Sequence, residues 1–126
     1  MKTNELTGAA LDWAVAQCEG YTGLHKIAER MPHEPQLGIY PPRKAYGIIE
    51  LWELSYSTDW AQAGPIIQRE KINIQSVLCY AREFWTASMY LAENEGQTPL
   101  IAAMRCYVSS KLGDEVEIPA ELGSQA

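Results

Sequence analysis

Apolar residues recur at helical spacing near the start of the chain. Four of them fall on one face of a helix, with Trp13 beside them: Leu11, Ala14, Val15 and Cys18. Thr7 stands where an N-cap is expected, and Gly20 suits the left-handed residue that ends many helices. We therefore predict an N-terminal helix whose outer face carries its polar residues, Asp12, Gln17 and Glu19.

A second helical pattern lies near the other end of the chain and predicts a helix over about 99–112. Thr98 is the expected cap, Pro99 takes the first helical position and Gly113 closes the end. The apolar stripe of this helix consists of Leu100, Met104, Tyr107, Val108 and Leu112. Lys111, in the last turn, complements the helix dipole.

Residues 21–45 show no regular pattern. A short helical turn is expected from Leu24 to Arg30, and four prolines then fall within eleven residues: Pro32, Pro35, Pro41 and Pro42. Proline at this density disfavours both a helix and a central strand. We expect an ordered, Pro-rich irregular insertion.

The alternation between Ala45 and Tyr56 predicts a strand with a bulge, although a helix is an alternative for this segment. Ser57-Thr58-Asp59 is a helix-start signal, and Gly64-Pro65 is a second one a turn later. A short central helix should follow Asp59. Residues 72–77 suit a strand, and residues 80–91 fit either a helix or an aromatic strand. The fold class is therefore α+β, with a small antiparallel sheet.

Length and charge indicate one domain with an acidic tail. The 126 residues suit a single domain, which we assign to residues 1–113. The net charge is −6, and four acidic residues of the tail, 114–126, leave only −2 for that domain. Lys and Arg are scattered, so broad nucleic-acid binding is not expected. The chain has seven Tyr and four Trp but one Phe. Because Tyr and Trp combine an apolar ring with a polar group, this bias favours partly solvated surfaces and interfaces.

The sequence lacks the motifs that mark several common kinds of catalytic and cofactor site. The sequence has no phosphate-binding glycine loop, no metal-spaced Cys/His set and no nucleophile elbow, so neither a metal nor a cofactor is expected. Cys18, Cys79 and Cys106 lie in apolar stretches and should be reduced structural thiols. His25 and His33 both lie in the irregular segment. No signal peptide or membrane-length apolar run is present, and a cytoplasmic protein is expected.

The segment Tyr56–Ile72 is the candidate ligand site. It combines two aromatic rings, small polar side chains, a Gly-Pro pair and an Arg, which together could line a nucleotide-like pocket. The alternative is structural, with Trp60 in the core and Asp59 as a helix cap. The predicted ligand-binding residues are Tyr56, Thr58, Asp59, Trp60, Arg69 and Arg105, with Arg82 as another anion partner. Asp12, Asp59 and Glu70 are the carboxylates to examine for a raised pKa.

Three blocks of the sequence resemble the NinX-like proteins of lambdoid phages. They are NELTGAALDW at 4–13, STDWAQAGPIIQREKI at 57–72 and TPLIAAMRCYVSSKLGDEV at 98–116. Residues from about 21 to 46 do not match and look like a divergent insertion. The resemblance implies a phage or prophage accessory protein in the bacterial cytoplasm, and it supplies no catalytic residue.

Three functions are open at this point. The first is a non-enzymatic, homo-oligomeric module that binds a small nucleotide-derived ligand and sequesters a host defence signal. The order of helix, strands and a Ser/Thr-rich turn ending in Asp-Trp is loosely similar to one signal-sequestering type of phage protein. The second is a protein-interaction module that uses the Pro-rich arm and the acidic tail. The third is a small hydrolase that uses Asp59 or Glu70.

Overall fold

In the part of the chain that the structure describes, three α-helices and two three-stranded antiparallel sheets form the fold, which confirms the α+β class. The computed structural model describes residues 1–31, 34–42, 49–90, 92–120 and 122. The helices are α1 (Gly8–Cys18), α2 (Trp60–Glu70) and α3 (Pro99–Leu112). The strands are β1 (Thr22–Met31), β2 (Glu34–Tyr40), β3 (Ile49–Glu50), β4 (Asn73–Cys79), β5 (Arg82–Met89) and β6 (Ala92–Gly96).

Helix α1 forms where the helical pattern predicts it and buries most of its apolar face. Leu11, Ala14 and Val15 have no exposed surface. Thr7 occupies the N-cap position, but its side chain accepts no hydrogen bond from the first turn. Asp12 was wrongly assigned to the outer face, because it is partly buried and accepts a hydrogen bond from the main-chain N–H of Ser57.

The segment predicted to be irregular is instead a hairpin of β1 and β2. The helical turn expected from Leu24 to Arg30 was wrong, because these residues lie in β1. Pro35 lies in β2 opposite Glu29 of β1. β3 pairs with β2 only at Gly38 and Ile39, so no β3 residue lies beside Pro35. A proline there costs no hydrogen bond to a second neighbour, which explains why the proline rule failed. Pro32 and His33 lie outside the described residues.

The structure describes residues 49–56 of the strand predicted over 45–56, and within these only Ile49–Glu50 form a strand. Residues 43–48 lie outside the described residues, β3 covers Ile49–Glu50, and Leu51–Glu53 form a single 3-10 turn. The side chain of Glu53 accepts a hydrogen bond from the N–H of Glu50 at 3.0 Å, and the Glu50 carboxylate accepts one from Trp52 Nε1. These local bonds favour a turn over continued strand pairing.

Helix α2 begins at the first of its two start signals. The Asp59 side chain accepts a hydrogen bond from the N–H of Ala61 at 2.9 Å, so Asp59 is the N-cap. Gly64 and Pro65 therefore lie inside α2 and do not start it. Lys71 ends the helix in the left-handed conformation, with φ 55°.

The second sheet has the order β4-β5-β6, and it resolves the ambiguous segment as strand. Tyr80 and Ala81 join β4 to β5, and β6 was not predicted. Gly96 of β6 faces α3 so closely that an added Cβ would lie 2.5 Å from the main-chain nitrogen of Ala102. This close approach brings α3 onto the sheet.

Helix α3 is confirmed with its predicted caps. Thr98 Oγ1 accepts a hydrogen bond from the N–H of Ile101 at 3.1 Å, Pro99 begins the helix and Gly113 has φ 87°. The predicted stripe is buried up to Val108, but Leu112 is 41% exposed and was wrongly included. α3 packs against α1, α2 and the β4-β5-β6 sheet, so it is the centre of the core.

The segment after α3 packs against the body of the protein. The N-terminal ammonium group donates to the carbonyl of Val116 at 3.0 Å, and Lys2 pairs with Glu115 in an isolated bridge. Val116 and Leu122 are both buried in the core. The apolar residues of the tail are therefore held, while its acidic residues among those described remain exposed.

Candidate functional site

Tyr56 lies in the loop between the 3-10 turn and α2, and its side chain is buried. Burial raises the pKa of its hydroxyl, and the adjacent Tyr21, to which it is hydrogen-bonded, raises the pKa further. The two rings lie together because Tyr21 follows the end of α1, while the loop returns Tyr56 to the same place. The raised pKa keeps the Tyr56 phenol neutral, and both hydroxyl groups can donate and accept hydrogen bonds.

Arg69, in the last turn of α2, binds the carboxylate of Glu19 at the end of α1. Its Nη1 and Nη2 donate to the two carboxylate oxygens at 3.1 and 2.7 Å. The hydroxyl of Tyr107, from α3, donates to the same carboxylate at 2.6 Å. Arg69 Nε also donates to Glu70 at 2.9 Å, and Lys111 lies 3.9 Å from Glu70. This network joins the three helices at one point.

The electrostatics of the network favour an ionised Glu19. Burial alone would raise the pKa of its carboxyl, but hydrogen bonds from Arg69 and Tyr107, and the positive charges of Arg69 and Lys111, lower it overall. The same contacts raise the pKa of the Arg69 guanidinium. Arg69 is therefore already neutralised by two carboxylates, which reduces its attraction for a further anion.

A cavity of about 360 Å³ opens beside this network, and we call it the tyrosine cavity. Its wall consists of Glu19, Tyr21, Ile49, Glu53, Leu54, Tyr56, Gln62, Pro65, Ile66 and Arg69. Gln62 is fixed by two main-chain contacts: its Oε1 accepts from Ser55 N–H at 2.8 Å, and its Nε2 donates to the Glu53 carbonyl at 3.0 Å. The wall thus combines two phenols and two carboxylates with an apolar floor.

Only two of the six predicted ligand residues, Tyr56 and Arg69, line the tyrosine cavity. Asp59 caps α2 and also accepts from Gln62 at 3.3 Å, which is the structural role. Trp60 is 55% exposed in the first turn of α2, so it is not a core residue, and it does not line this cavity. Thr58 is exposed and lines a different cavity.

Arg105 lies on α3 and does not contact the tyrosine cavity. Its Nε donates to the Leu6 carbonyl at 2.9 Å, and its Nη1 donates to the Glu95 carbonyl at 2.8 Å. Burial lowers the pKa of its guanidinium. Arg82, whose guanidinium lies 4.3 Å from the ring centre of Phe84, pairs with the Glu95 carboxylate. Arg105 and Arg82 share a wide depression of about 830 Å³, but both already have partners there.

A second cavity, of about 330 Å³, lies between the start of α1 and the 3-10 turn, and we call it the leucine cavity. Its wall consists of Gly8, Ala9, Asp12, Leu37, Leu51, Trp52, Leu54, Ser55, Ser57, Thr58 and Leu122. The Asp12 carboxyl has a raised pKa because it is buried, although hydrogen bonds from Ser57 partly offset that effect. A raised pKa at Asp12 was one of the sequence-based hypotheses.

Sequence reasoning missed several wall residues of the tyrosine cavity, in particular Glu19, Tyr21, Glu53 and Gln62. Glu19 and Arg69 are 50 positions apart, and nothing in the local pattern connects them. The only usable signal was the position of Glu19 just before Gly20, at the end of a confident helix. That position places Glu19 at the end of the helix, but it does not predict which residues its side chain contacts.

The two cysteines nearest the core are poor nucleophiles. Burial raises the pKa of Cys18 to about 12 and that of Cys106 to about 11. Cys106 Sγ donates to the Ala92 carbonyl at 3.4 Å. Within the part of the chain that the structure describes, no group of three His, Cys, Asp or Glu residues could hold a metal ion. None of the described helices is long and apolar enough to cross a membrane.

The chain matches a known protein family over most of its length. The family model described as Bacteriophage P22, NinX matches residues 2–111 and so runs through the segment expected to be divergent. No curated protein matches the chain.

Proposed function

The chain belongs to the bacteriophage P22 NinX family, and from that premise we propose that it is a non-enzymatic binding module for a small nucleoside-like ligand. The observation that carries the proposal is the tyrosine cavity. Two phenols, those of Tyr21 and Tyr56, lie there beside fixed carboxylate and amide groups. Flat polar rings and vicinal hydroxyls are the ligand groups that such a wall can hold.

The charges of the wall favour the nucleoside part of a nucleotide over its phosphates. Glu19 and Glu53 contribute two negative charges, and Arg69 contributes one positive charge that Glu19 and Glu70 already neutralise. A phosphate would have to displace one of these carboxylates. A ribose diol, in contrast, can donate to the exposed Glu53 carboxylate, in the way that acidic residues bind ribose hydroxyls elsewhere.

The two carboxylates assigned to the hydrolase alternative have other partners, which favours binding over turnover. Asp59 and Glu70, which the hydrolase alternative requires, are occupied as a helix cap and as a partner of Arg69. We therefore expect a ligand in the tyrosine cavity to be bound and released without chemical change. Such a module would act in the cytoplasm of the infected host by sequestering a nucleotide-derived signal.

Calorimetric titration with adenosine, a cyclic nucleotide and ADP-ribose tests the proposal, followed by chromatography of the recovered ligand. We expect saturable binding, with the ligand recovered intact. Glu53→Gln should weaken binding at least severalfold, because it removes a charged acceptor from the wall. Glu117→Gln, an exposed change in the tail, is the matched control and should bind like the wild type. Failure of the folded protein to bind any of the three compounds would exclude this function.

A protein-interaction module is the second candidate, and exposed aromatic rings favour it. Trp52 is 66% exposed and Trp60 is 55% exposed, far more than core residues of their size. The burial of Val116 and Leu122 argues against a free acidic arm as the contact. If a host or phage protein binds stoichiometrically, Trp60→Ala should release it, while deletion of residues 123–126 should not.

A further inference from the structure

The leucine cavity is a second concave site, separate from the ligand site proposed above. Apolar side chains from three parts of the chain form most of its wall: Leu37 of β2, Leu51 and Leu54 around the 3-10 turn, and Leu122 of the tail. The indole of Trp52, with most of its surface exposed, stands at the rim. Its volume is about 330 Å³.

One carboxylate interrupts this apolar wall. Asp12 Oδ1 accepts a hydrogen bond from the N–H of Ser57 at 2.8 Å. A carboxylate has about four acceptor positions, so contacts with Ser57 alone leave capacity for a donor in the cavity. Among the described residues, no Lys or Arg lines the cavity or pairs with Asp12.

Partial burial of a carboxylate without a cation costs free energy that a positively charged ligand would recover. The apolar wall would exclude water from the body of such a ligand, and the Trp52 face would attract both flat rings and cations. A phosphate or carboxylate ligand would meet the Asp12 charge with nothing to neutralise it. The charge and the shape of the cavity therefore select the same class of compound.

We propose that the leucine cavity binds a small organic cation, a protonated amine or amidine on a flat apolar body, with Asp12 as its charge partner. The apolar body lies between the leucine side chains and Trp52, and the cationic nitrogen donates to the Asp12 carboxylate. This site does not depend on the nucleoside site, although Leu54 contributes to the wall of both cavities.

Titration of the ¹⁵N-labelled full chain with tryptamine, followed by NMR, tests the proposal. Tryptophol, in which a hydroxyl replaces the ammonium, and indole-3-acetate, which is an anion, are the matched probes. Tryptamine should shift the amide resonances of Gly8, Asp12 and Ser57. It should bind about tenfold or more tightly than tryptophol, since a charge-assisted hydrogen bond replaces a neutral one.

Two variants keep the test decisive. Asp12→Asn retains an acceptor for Ser57 N–H and should reduce tryptamine affinity to the level of tryptophol. Trp52→Ala changes an exposed residue, so the variant should fold. It should lower the affinity for both tryptamine and tryptophol, while tryptamine should still bind more tightly than tryptophol. Equal affinity for tryptamine and tryptophol, shifts that map elsewhere, or an unchanged preference in Asp12→Asn would overturn the proposal. Failure of the folded wild type to bind tryptamine would overturn it as well, and nucleoside binding would be unaffected by that result.

Discussion

Arg69 and Glu19 form a two-point ion pair across 50 residues of sequence, with N–O distances of 3.1 and 2.7 Å. The pair joins the ends of α1 and α2, and the Tyr107 hydroxyl adds α3 to the same carboxylate. It also forms one side of the tyrosine cavity. A residue predicted as an anion-binding group is thus first a structural group, and this determines what its substitution should do.

Arg69→Lys should lower the free energy of unfolding by about 1 kcal/mol, because a Lys cannot make the planar two-point contact. The value is discounted for solvent screening, since half of the Arg69 side chain is exposed. Arg82→Lys is the control: its pair with Glu95 is more exposed, and the expected loss is below about 0.5 kcal/mol. Urea denaturation of both variants measures the difference. Equal losses would show that the Arg69 network adds nothing beyond a surface pair.

The stability contribution of Glu19 should depend on pH. Its pKa is lowered in the folded state, so its contribution is present above the unfolded value of about 4.3 and is lost as the pH falls through the folded value. The difference in unfolding free energy between the wild type and Glu19→Gln should therefore be large at neutral pH and should shrink in acid. Thermal or urea unfolding across this range measures it.

Asp12 provides a comparison of opposite sign. Its folded pKa is raised, mainly by burial, so the wild type should gain stability relative to Asp12→Asn as the pH falls through the folded value toward about 3.9. If both differences changed with pH in the same direction, the assigned environment of one carboxyl would be wrong.

Gly96 should tolerate no side chain. In Gly96→Ala the new Cβ would lie 2.5 Å from the main-chain nitrogen of Ala102, and neither main chain can move without separating α3 from the sheet. We expect a loss of roughly 2–3 kcal/mol, within the range for overpacked cores. Gly64→Ala is the matched control, because its Cβ would meet nothing within 4 Å inside α2. It should stabilise the protein by roughly 0.5–1 kcal/mol, and calorimetric unfolding distinguishes the two.

Local signals in the sequence predicted the helices well and the first sheet poorly. The signals that delimit α3 act within one turn of its ends, so its bounds could be predicted from the sequence: Thr98, Pro99 and Gly113. The position of Pro35 is tolerated only because β3 ends before it, and that depends on strand order. A rule based on residues that are adjacent in the sequence cannot predict which strands are adjacent in a sheet.

The candidate site was predictable only where it coincides with a local motif. The cap role of Asp59 was the structural alternative to its predicted ligand role, and Tyr56 and Arg69 came from one short segment. The other wall residues of the tyrosine cavity come from the end of α1, from β3, from the region of the 3-10 turn and from α2. Glu19 and Arg69 meet beside Tyr107, where α1 and α2 pack against α3, and no local spacing in the sequence predicts this meeting.

The homo-oligomer expected from the sequence remains a prediction, and the free edge of β4 is where we expect it to form. In the described chain β4 pairs only with β5, and its seven residues include neither a charged residue nor a proline. Leu78 is 70% exposed at this edge, and Tyr80 just beyond it is 99% exposed. An uncharged edge of this length favours pairing, and antiparallel pairing of two copies would bring no like charges of β4 together.

Ser76→Lys should therefore convert the oligomer to a monomer, because Ser76 is exposed at the middle of β4 and a pair of copies would place two ammonium groups close together. Glu117→Lys, an exposed charge change away from β4, is the control and should leave the assembly intact. Light scattering after size-exclusion chromatography measures both masses. A wild type that stays monomeric as its concentration rises, or a Ser76→Lys variant that keeps the wild-type mass, would show that β4 is not the interface.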